Sequence, residues 1–198
     1  MSGPRLCLAS ASPRRLELLA SIGLDVITHV ADIDETPWPD ESPDALVVRL
    51  AEAKVAAVST NRRVAGEEAL LPVLGADTVV VCDEQIFGKP RDQAEGAWML
   101  RQLSGRRHQV ITGVAVSGPQ GLLSLSVTTH ITLRQLADDE ISSYWATGEP
   151  RDKAGGFAIQ GRGALFVSHL EGSYSAVVGL PLFETAQLLS HQGVALWA

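Results

Sequence analysis

Two long apolar arms flank one tight turn near the middle of the chain. Val110 to Val116 and Leu123 to Leu133 stand on either side of Gly118-Pro119-Gln120-Gly121. In the second arm Leu123, Leu125, Val127, Thr129, Ile131 and Leu133 alternate with Ser124, Ser126, Thr128, His130 and Thr132. A period of two is that of a strand with one buried face. The glycine- and proline-bearing turn between the arms makes them a hairpin. A long antiparallel meander of this kind favours a mixed sheet over a doubly wound parallel one.

Around the hairpin, strands and helices alternate. Leu6 to Ala9 reads as a short buried strand, and Ser12 and Pro13 open a helix in which Leu16, Leu19 and Ile22 form the apolar face and Gly23 the stop. Asp25 to Val30 reads as a second strand, before an acidic loop from Asp32 to Asp40. Ser42-Pro43 opens a helix running to about Val58, with Leu46, Leu50, Ala53 and Ala57 on one face. Asn61 to Arg63 and Glu67-Glu68 flank a loop. Val73 to Cys82 is the strongest strand, with a turn at Asp83-Glu84 and a short return at Ile86-Phe87. Asp92 caps a helix to Leu103, and another spans Asp138 to Ala146. Glu149 to Gly163 is rich in glycine and charge. Leu165 to Val167 and Ala176 to Val178 read as short strands, and Pro181 opens the last helix. The expectation is an α/β fold: a mixed sheet with a long antiparallel hairpin and two lobes around a cleft, treated as a single domain over residues 1–198.

Composition narrows the function classes. With 45% hydrophobic and 20% charged residues the chain is of ordinary globular make-up. No apolar run is long enough to span a membrane, and Met1 to Ser10 is too short and too mixed for a signal peptide. The expected location is therefore the cytoplasm. A net charge of −7 argues against nucleic acid as a partner, while a small anion needs only a local basic cluster. Cys7 and Cys82 sit in apolar runs and read as buried thiols. The five histidines show no metal-ligand spacing.

Several residues stand out against this background. In Ser10-Ala11-Ser12-Pro13-Arg14-Arg15 a strand ends and a helix begins, with hydroxyls and two arginines at the end where a helix attracts anions. This is either a phosphate site or a solvated arginine pair beside an ordinary cap. Asp77 lies inside an apolar strand, costly to bury unless it is paired, holds a metal or accepts a proton. Lys54 falls at the edge of an apolar helix face. It either snorkels or, like Lys89 in the Gly88-Lys89-Pro90 turn, meets phosphate oxygens. Glu35 in the acidic loop is a candidate metal ligand, or merely solvated. Gln160 sits in the late glycine-rich loop, where its amide can both donate and accept, as reading a base edge requires. Trp38, Trp98, Trp145 and Trp197 are too scattered for a stacking platform. Together these point to a nucleotide pyrophosphate.

In its ordered motifs the chain resembles the Maf family. Leu8 to Leu19, Gly75-Ala76-Asp77-Thr78-Val79-Val80, Gly88-Lys89-Pro90, Leu103-Ser104-Gly105, Val110-Ile111-Thr112-Gly113, Tyr144 to Gly148, Lys153 to Gly161 and Val178-Gly179-Leu180-Pro181 follow its pattern over nearly the whole length. Ala11 stands where many relatives carry glycine. The resemblance implies a fold similar to inosine triphosphate pyrophosphatases and hydrolysis of nucleoside triphosphates between the α and β phosphates, with a divalent cation such as Mg²⁺ or Mn²⁺. It implies that Asp77 is the proton acceptor, and that Ser10, Arg15, Lys54 and Lys89 contact the triphosphate or its metal. Glu35 helps hold the metal, and Arg14, Thr78 and Gln160 bear on substrate choice. Phe157 to Gly161 and Gly172 to Pro181 look like the branch acting on dTTP and UTP; the alternative branch acts on 7-methyl-GTP. A homodimer is common for such folds. The contrasting reading, from a different class, is a nucleotide-binding regulator of cell division without turnover.

Overall fold

A computed structural model describes residues 5–65 and 71–197; the expected Glu67-Glu68 loop lies outside the described residues. In chain order the elements are β1 (Leu6–Leu8), α1 (Pro13–Ser21), β2 (Val26–Thr28), α2 (Pro43–Val64), β3 (Val73–Cys82), β4 (Gln85–Phe87), α3 (Gln93–Leu103), β5 (Arg107–Gly118), β6 (Gly121–Leu133), α4 (Asp138–Ala146), β7 (Val167–Glu171), α5 (Tyr174–Val178) and α6 (Leu182–His191). Three short 3-10 turns fill the stretch between α4 and β7. The strands form one mixed sheet in the order β2-β1-β3-β5-β6-β7, with β4 added beside β3. The chain folds as two compact units. Met1–Asp77, Thr112–Val127 and Gly179–Ala198 make the first, Thr78–Ile111 and Thr128–Val178 the second.

In the first unit β1 pairs in parallel with both β2 and β3, with Leu6 opposite Val26 and Leu8 opposite Leu74. Because side chains alternate along a strand, β1 feeds two cores at once. Leu6 and Leu8 pack with Leu19, Leu74, Ala76, Leu180 and Leu189, while Cys7 and Ala9 pack with Ala51, Val55, Val58 and Val73. Two glycines let α2 lie close on the sheet. A Cβ at Gly75 of β3 would sit 2.5 Å from the Ala51 carbonyl oxygen, and one at Gly113 of β5 would sit 2.3 Å from that of Val47. The tip of the β5–β6 hairpin is held by Gln192, whose side chain accepts from the Gln120 N–H and donates to the Gly121 carbonyl, each at 2.9 Å.

In the second unit β4 runs antiparallel to the end of β3, and β7 antiparallel to β6 with a bulge at Thr132/Leu133. Phe87 packs on Trp98 of α3, and Tyr144 of α4 meets Phe166 edge to face. Gly96 of α3 leaves room for the Trp145 ring, which a Cβ would approach to 2.6 Å. His108 is buried edge-on against Phe157, with no hydrogen-bond partner for either ring nitrogen among the described residues.

The expected strands, helices and hairpin form, β2 over only Val26–Thr28 of the expected Asp25–Val30, and with four further differences. Helix α2 runs on to Val64 rather than ending near Val58. No glycine or proline interrupts the residues after Val58, and Arg62 and Arg63 suit the negative end of the helix. Ser12 makes no side-chain cap; instead its N–H donates to Ser10 Oγ at 3.1 Å. The strand expected at Leu165–Val167 is displaced to Val167–Glu171, Leu165 itself lying in a 3-10 turn. Ala176–Val178, expected as a strand, lies in the short helix α5, where the Ser173 hydroxyl accepts the Ala176 N–H at 3.2 Å. A short apolar run does not itself distinguish the two states, and that local capping bond favours the helix.

Candidate functional site

The close seating of α2 on β3 determines which side chains meet. Gly75 faces Ala51, so Asp77, two residues on, points to the same side of the strand. Lys54, three residues after Ala51, lies on the same side of the helix. The two side chains converge, with Lys54 Nζ 2.6 Å from Asp77 Oδ1. Both are almost closed off from water, their side chains 11% and 12% exposed. Lys54 therefore does not snorkel. Its ammonium also lies 2.7 Å from Glu35 Oε1, whose side chain is 55% exposed. Two carboxylates thus meet at one cation, one buried and one reaching toward solvent.

The acidic loop is fastened to the helix that bears Lys54. Arg49 of α2 grips the Glu41 carboxylate through Nε at 2.5 Å and Nη2 at 2.8 Å, and donates to the Thr36 carbonyl at 3.1 Å. Glu41 in turn accepts the Trp38 N–H at 3.0 Å, and Arg49 stacks over the Trp38 ring at 4.1 Å. The guanidinium holds the Glu41 carboxyl below its usual range. A bidentate pair of this sort adds geometric specificity as well as attraction. Glu35, one residue before Thr36, is thereby carried to Lys54. The sequence offered no signal for this clip, since Arg49 and Glu41 resemble any exposed helix-and-loop charges.

At the start of α1, Arg15 Nη1 donates to Ser10 Oγ at 3.1 Å and Nε to the Gly179 carbonyl at 2.8 Å. Burial pushes the Arg15 guanidinium below its ordinary pKa, and the nearby Asp77 and Glu35 carboxylates offset this only in part; Arg14 adds to the depression. Arg15 keeps its charge, because its intrinsic value is far above neutrality. Arg14, Arg15 and Lys54 thus set three cations against the two carboxylates of Glu35 and Asp77. The balance is locally positive in a chain that is negative as a whole, as a site for phosphate requires.

Thr78, Lys89 and Gln160 belong to the second unit. Thr78 follows Asp77 directly, so strand alternation turns it to the opposite face of β3. Lys89 is exposed after β4 and makes no ion pair among the described residues. Its turn is tied to the glycine-rich segment by the Gly155 N–H, which donates to the Gly88 carbonyl at 3.0 Å. Gln160 is half-buried between two 3-10 turns, and its side-chain amide has no hydrogen-bond partner among the described residues. The structure therefore joins Glu35, Lys54 and Asp77 in direct contact and joins Ser10 to Arg15.

Among the described residues no three or more His, Cys, Asp or Glu side chains cluster as a metal cage. The two carboxylates at Lys54 nevertheless suit a hard divalent cation of the Mg²⁺ type, which takes one or two protein carboxylates and completes its shell with water and substrate phosphates. No helix of the described residues is long and apolar enough to cross a membrane.

Comparison with known proteins agrees with the sequence motifs. The family model described as Maf-like protein matches residues 5–192. A dTTP/UTP pyrophosphatase of Alkalilimnicola ehrlichii is 54% identical over 186 residues, covering 94% of this chain and 92% of that protein. Proteins of the same name from Pseudoalteromonas atlantica and Shigella sonnei are 51% and 50% identical, over 96% and 94% of this chain and 98% and 92% of their own lengths. Among solved structures, the Staphylococcus aureus Ham1 protein gives a TM-score of 0.40 at 17% identity over 67% of this chain and 72% of its own, a likeness too slight to add to the fold described above. The family match across almost the whole chain, with relatives sharing half its residues, shows that this chain belongs to the Maf family.

Proposed function

We propose that this protein hydrolyses dTTP and UTP to the monophosphate and pyrophosphate, acting as one domain on the free nucleotides of the cytoplasm. The observation that carries the reading is the buried Lys54–Asp77 pair, with Glu35 on the same ammonium and the arginine-bearing start of α1 coupled to both carboxylates. The relatives' shared name supports the choice of nucleotides.

In this reading Asp77 accepts the proton of the attacking water. Before substrate arrives, its carboxylate is occupied by the Lys54 ammonium. A triphosphate draws the Lys54 ammonium toward its own oxygens and so releases Asp77 when there is something to hydrolyse. Ser10 and Arg15 hold phosphate oxygens at the start of α1, and Lys89 supplies a further point charge. Glu35, the more exposed carboxylate, would hold a divalent cation, with Asp77 adjacent. When bound, that ion would neutralise charge on the phosphate oxygens. Arg14, Thr78 and Gln160 select the base and sugar.

The test is to incubate the purified protein and its Asp77→Asn variant with a panel of nucleoside triphosphates and Mg²⁺ or Mn²⁺, measuring pyrophosphate and orthophosphate separately. The expected result is pyrophosphate from dTTP and UTP, with turnover abolished in the variant and nucleotide binding retained, because the amide keeps the shape and loses the basicity. Pyrophosphate from 7-methyl-GTP instead would move the protein to the other branch. Binding without any product would favour the regulator.

A further inference from the structure

Gln160 lies in a stretch that no strand ladder supports. From Ala154 to Phe166 the backbone consists of two 3-10 turns and the extended residues between them, with glycines at positive φ at 155, 156 and 161. Such a segment has many conformations unless side chains from outside hold it. Two do so, Tyr144 in the last turn of α4 and Glu149 in the 3-10 turn just beyond it. The Glu149 carboxylate accepts the Arg162 N–H on Oε2 and the Gly163 N–H on Oε1, each at 2.9 Å. Its Oε1 also accepts the Tyr144 hydroxyl at 2.8 Å. The Tyr144 oxygen in turn accepts the Ala158 N–H at 3.1 Å.

One connected pair of side chains thus fastens both flanks of Ile159-Gln160-Gly161, at Ala158 before it and at Arg162 and Gly163 after it. The fit is close. A Cβ at Gly161 would sit 2.5 Å from Glu149 Oε2, and one at Gly163 would sit 2.3 Å from the Ala158 carbonyl oxygen and 2.6 Å from the Tyr144 hydroxyl. Tyr144 is buried, its ring locked against Phe166. Within this loop the Gln160 amide is left without a protein partner among the described residues.

We propose that Glu149, acting through its bonds to the loop and to Tyr144, is a positioning residue for base recognition: it presents the Gln160 amide to the base edge in a fixed place. The proposal rests on the reading of Gln160 as the base reader. Uracil and thymine offer an acceptor oxygen beside an N–H donor, whereas cytosine offers a donor amine beside an acceptor nitrogen. A glutamine amide turned over serves either pattern. Discrimination between them therefore needs the loop held in place, since a polar reader rejects the wrong partner only when it cannot adapt to it.

The experiment compares Glu149→Gln, Tyr144→Phe, Gln160→Ala and the Glu149→Gln/Gln160→Ala double variant, using UTP and CTP. Glutamine at 149 turns a donor toward a backbone N–H, and phenylalanine at 144 removes only the hydroxyl while keeping the ring. Either variant is expected to raise KM for UTP about tenfold and to lower the UTP-over-CTP ratio of kcat/KM by a similar factor, with kcat on UTP within about threefold. In the Gln160→Ala background, Glu149→Gln is expected to add almost nothing to KM or to the ratio. If both single variants keep the wild-type ratio while Gln160→Ala changes it, Glu149 does not position the reader and the proposal falls alone. An equal effect of Glu149→Gln with and without Gln160 has the same consequence. If Gln160→Ala itself leaves the ratio unchanged, the reader and the proposal fall together. Should Glu149→Gln fail to fold, Tyr144→Phe carries the same comparison.

Discussion

Gly75 touches no substrate group in the reading above, yet it sets the distance between the helix that bears Lys54 and the strand that bears Asp77. Replacing it by alanine adds one methyl, which would begin 2.5 Å from the Ala51 carbonyl oxygen and 2.9 Å from a methyl of Val55. Ordinary van der Waals contact starts at 3.4 Å, so the shortfall against Ala51 is about 0.9 Å, of the kind that overpacking imposes. Val55 can turn aside, but the Ala51 oxygen is backbone in the middle of a helix and cannot. Helix α2 must therefore retreat, at a cost of about 1–3 kcal/mol for overpacking a tight core. The same retreat lengthens the Lys54–Asp77 bond from 2.6 Å toward the limit of a hydrogen bond. Misplacement on this scale costs up to about 100-fold in turnover. Gly75→Ala should thus lower the urea midpoint and reduce kcat on dTTP together. Urea unfolding followed by circular dichroism, with initial rates of pyrophosphate release, measures both. A variant with wild-type stability and rate would refute the argument that glycine is required here for close approach.

Lys54→Met leaves the Asp77 carboxylate buried without its cation and is expected to destabilise the fold by about 3 kcal/mol, the lower end for breaking a buried pair; adding Asp77→Asn should recover most of that loss in urea unfolding. Glu35→Gln should raise the Mg²⁺ concentration for half-maximal activity at least about tenfold while changing the saturated rate far less, because one carboxylate is lost from a site with few protein ligands; an unchanged metal titration removes Glu35 from that role. Burial lowers the His108 pKa to about 4 from 6.5. The unfolded chain therefore takes up a proton that the native ring refuses. Stability attributable to the neutral ring is intact above pH 6.5 and is lost as pH falls toward 4. His108→Phe should grow more stable relative to wild type across that window, and parallel melting curves at each pH would contradict this.

Much of the architecture was legible because single residues carried it. Val73–Cys82 forms the expected strand to the residue, since β-branched side chains dominate its second half. Asp138–Ala146 likewise forms as read, with Gly148 beyond it in the left-handed region. Asp77 and Lys54 were each conspicuous as a charge in an apolar setting, and their pairing explains both. What escaped reading depends on partners distant in sequence. Gly75 and Gly113 look like ordinary strand glycines until α2 is laid against them. Arg49 and Glu41 are unremarkable charges until they close on one another, and Glu149 is one acidic residue in a charged loop until three donors converge on it. Ala176–Val178 was too short for its period to decide between strand and helix.

The bond from Arg15 to the Gly179 carbonyl also has a consequence for the order in which the protein is made. The first unit is assembled from three separated stretches of chain, the last of them beginning at Gly179. On the ribosome the second unit has all its residues once Val178 has been added. Ser10 and Arg15 are synthesised before any of the second unit but wait for the stretch that follows it to supply the carbonyl that orients the guanidinium. Leu180 and Leu189, which fill the core beneath β1, arrive in the same stretch. The emerging chain is therefore unable to complete this corner until the stretch that follows the second unit has been added.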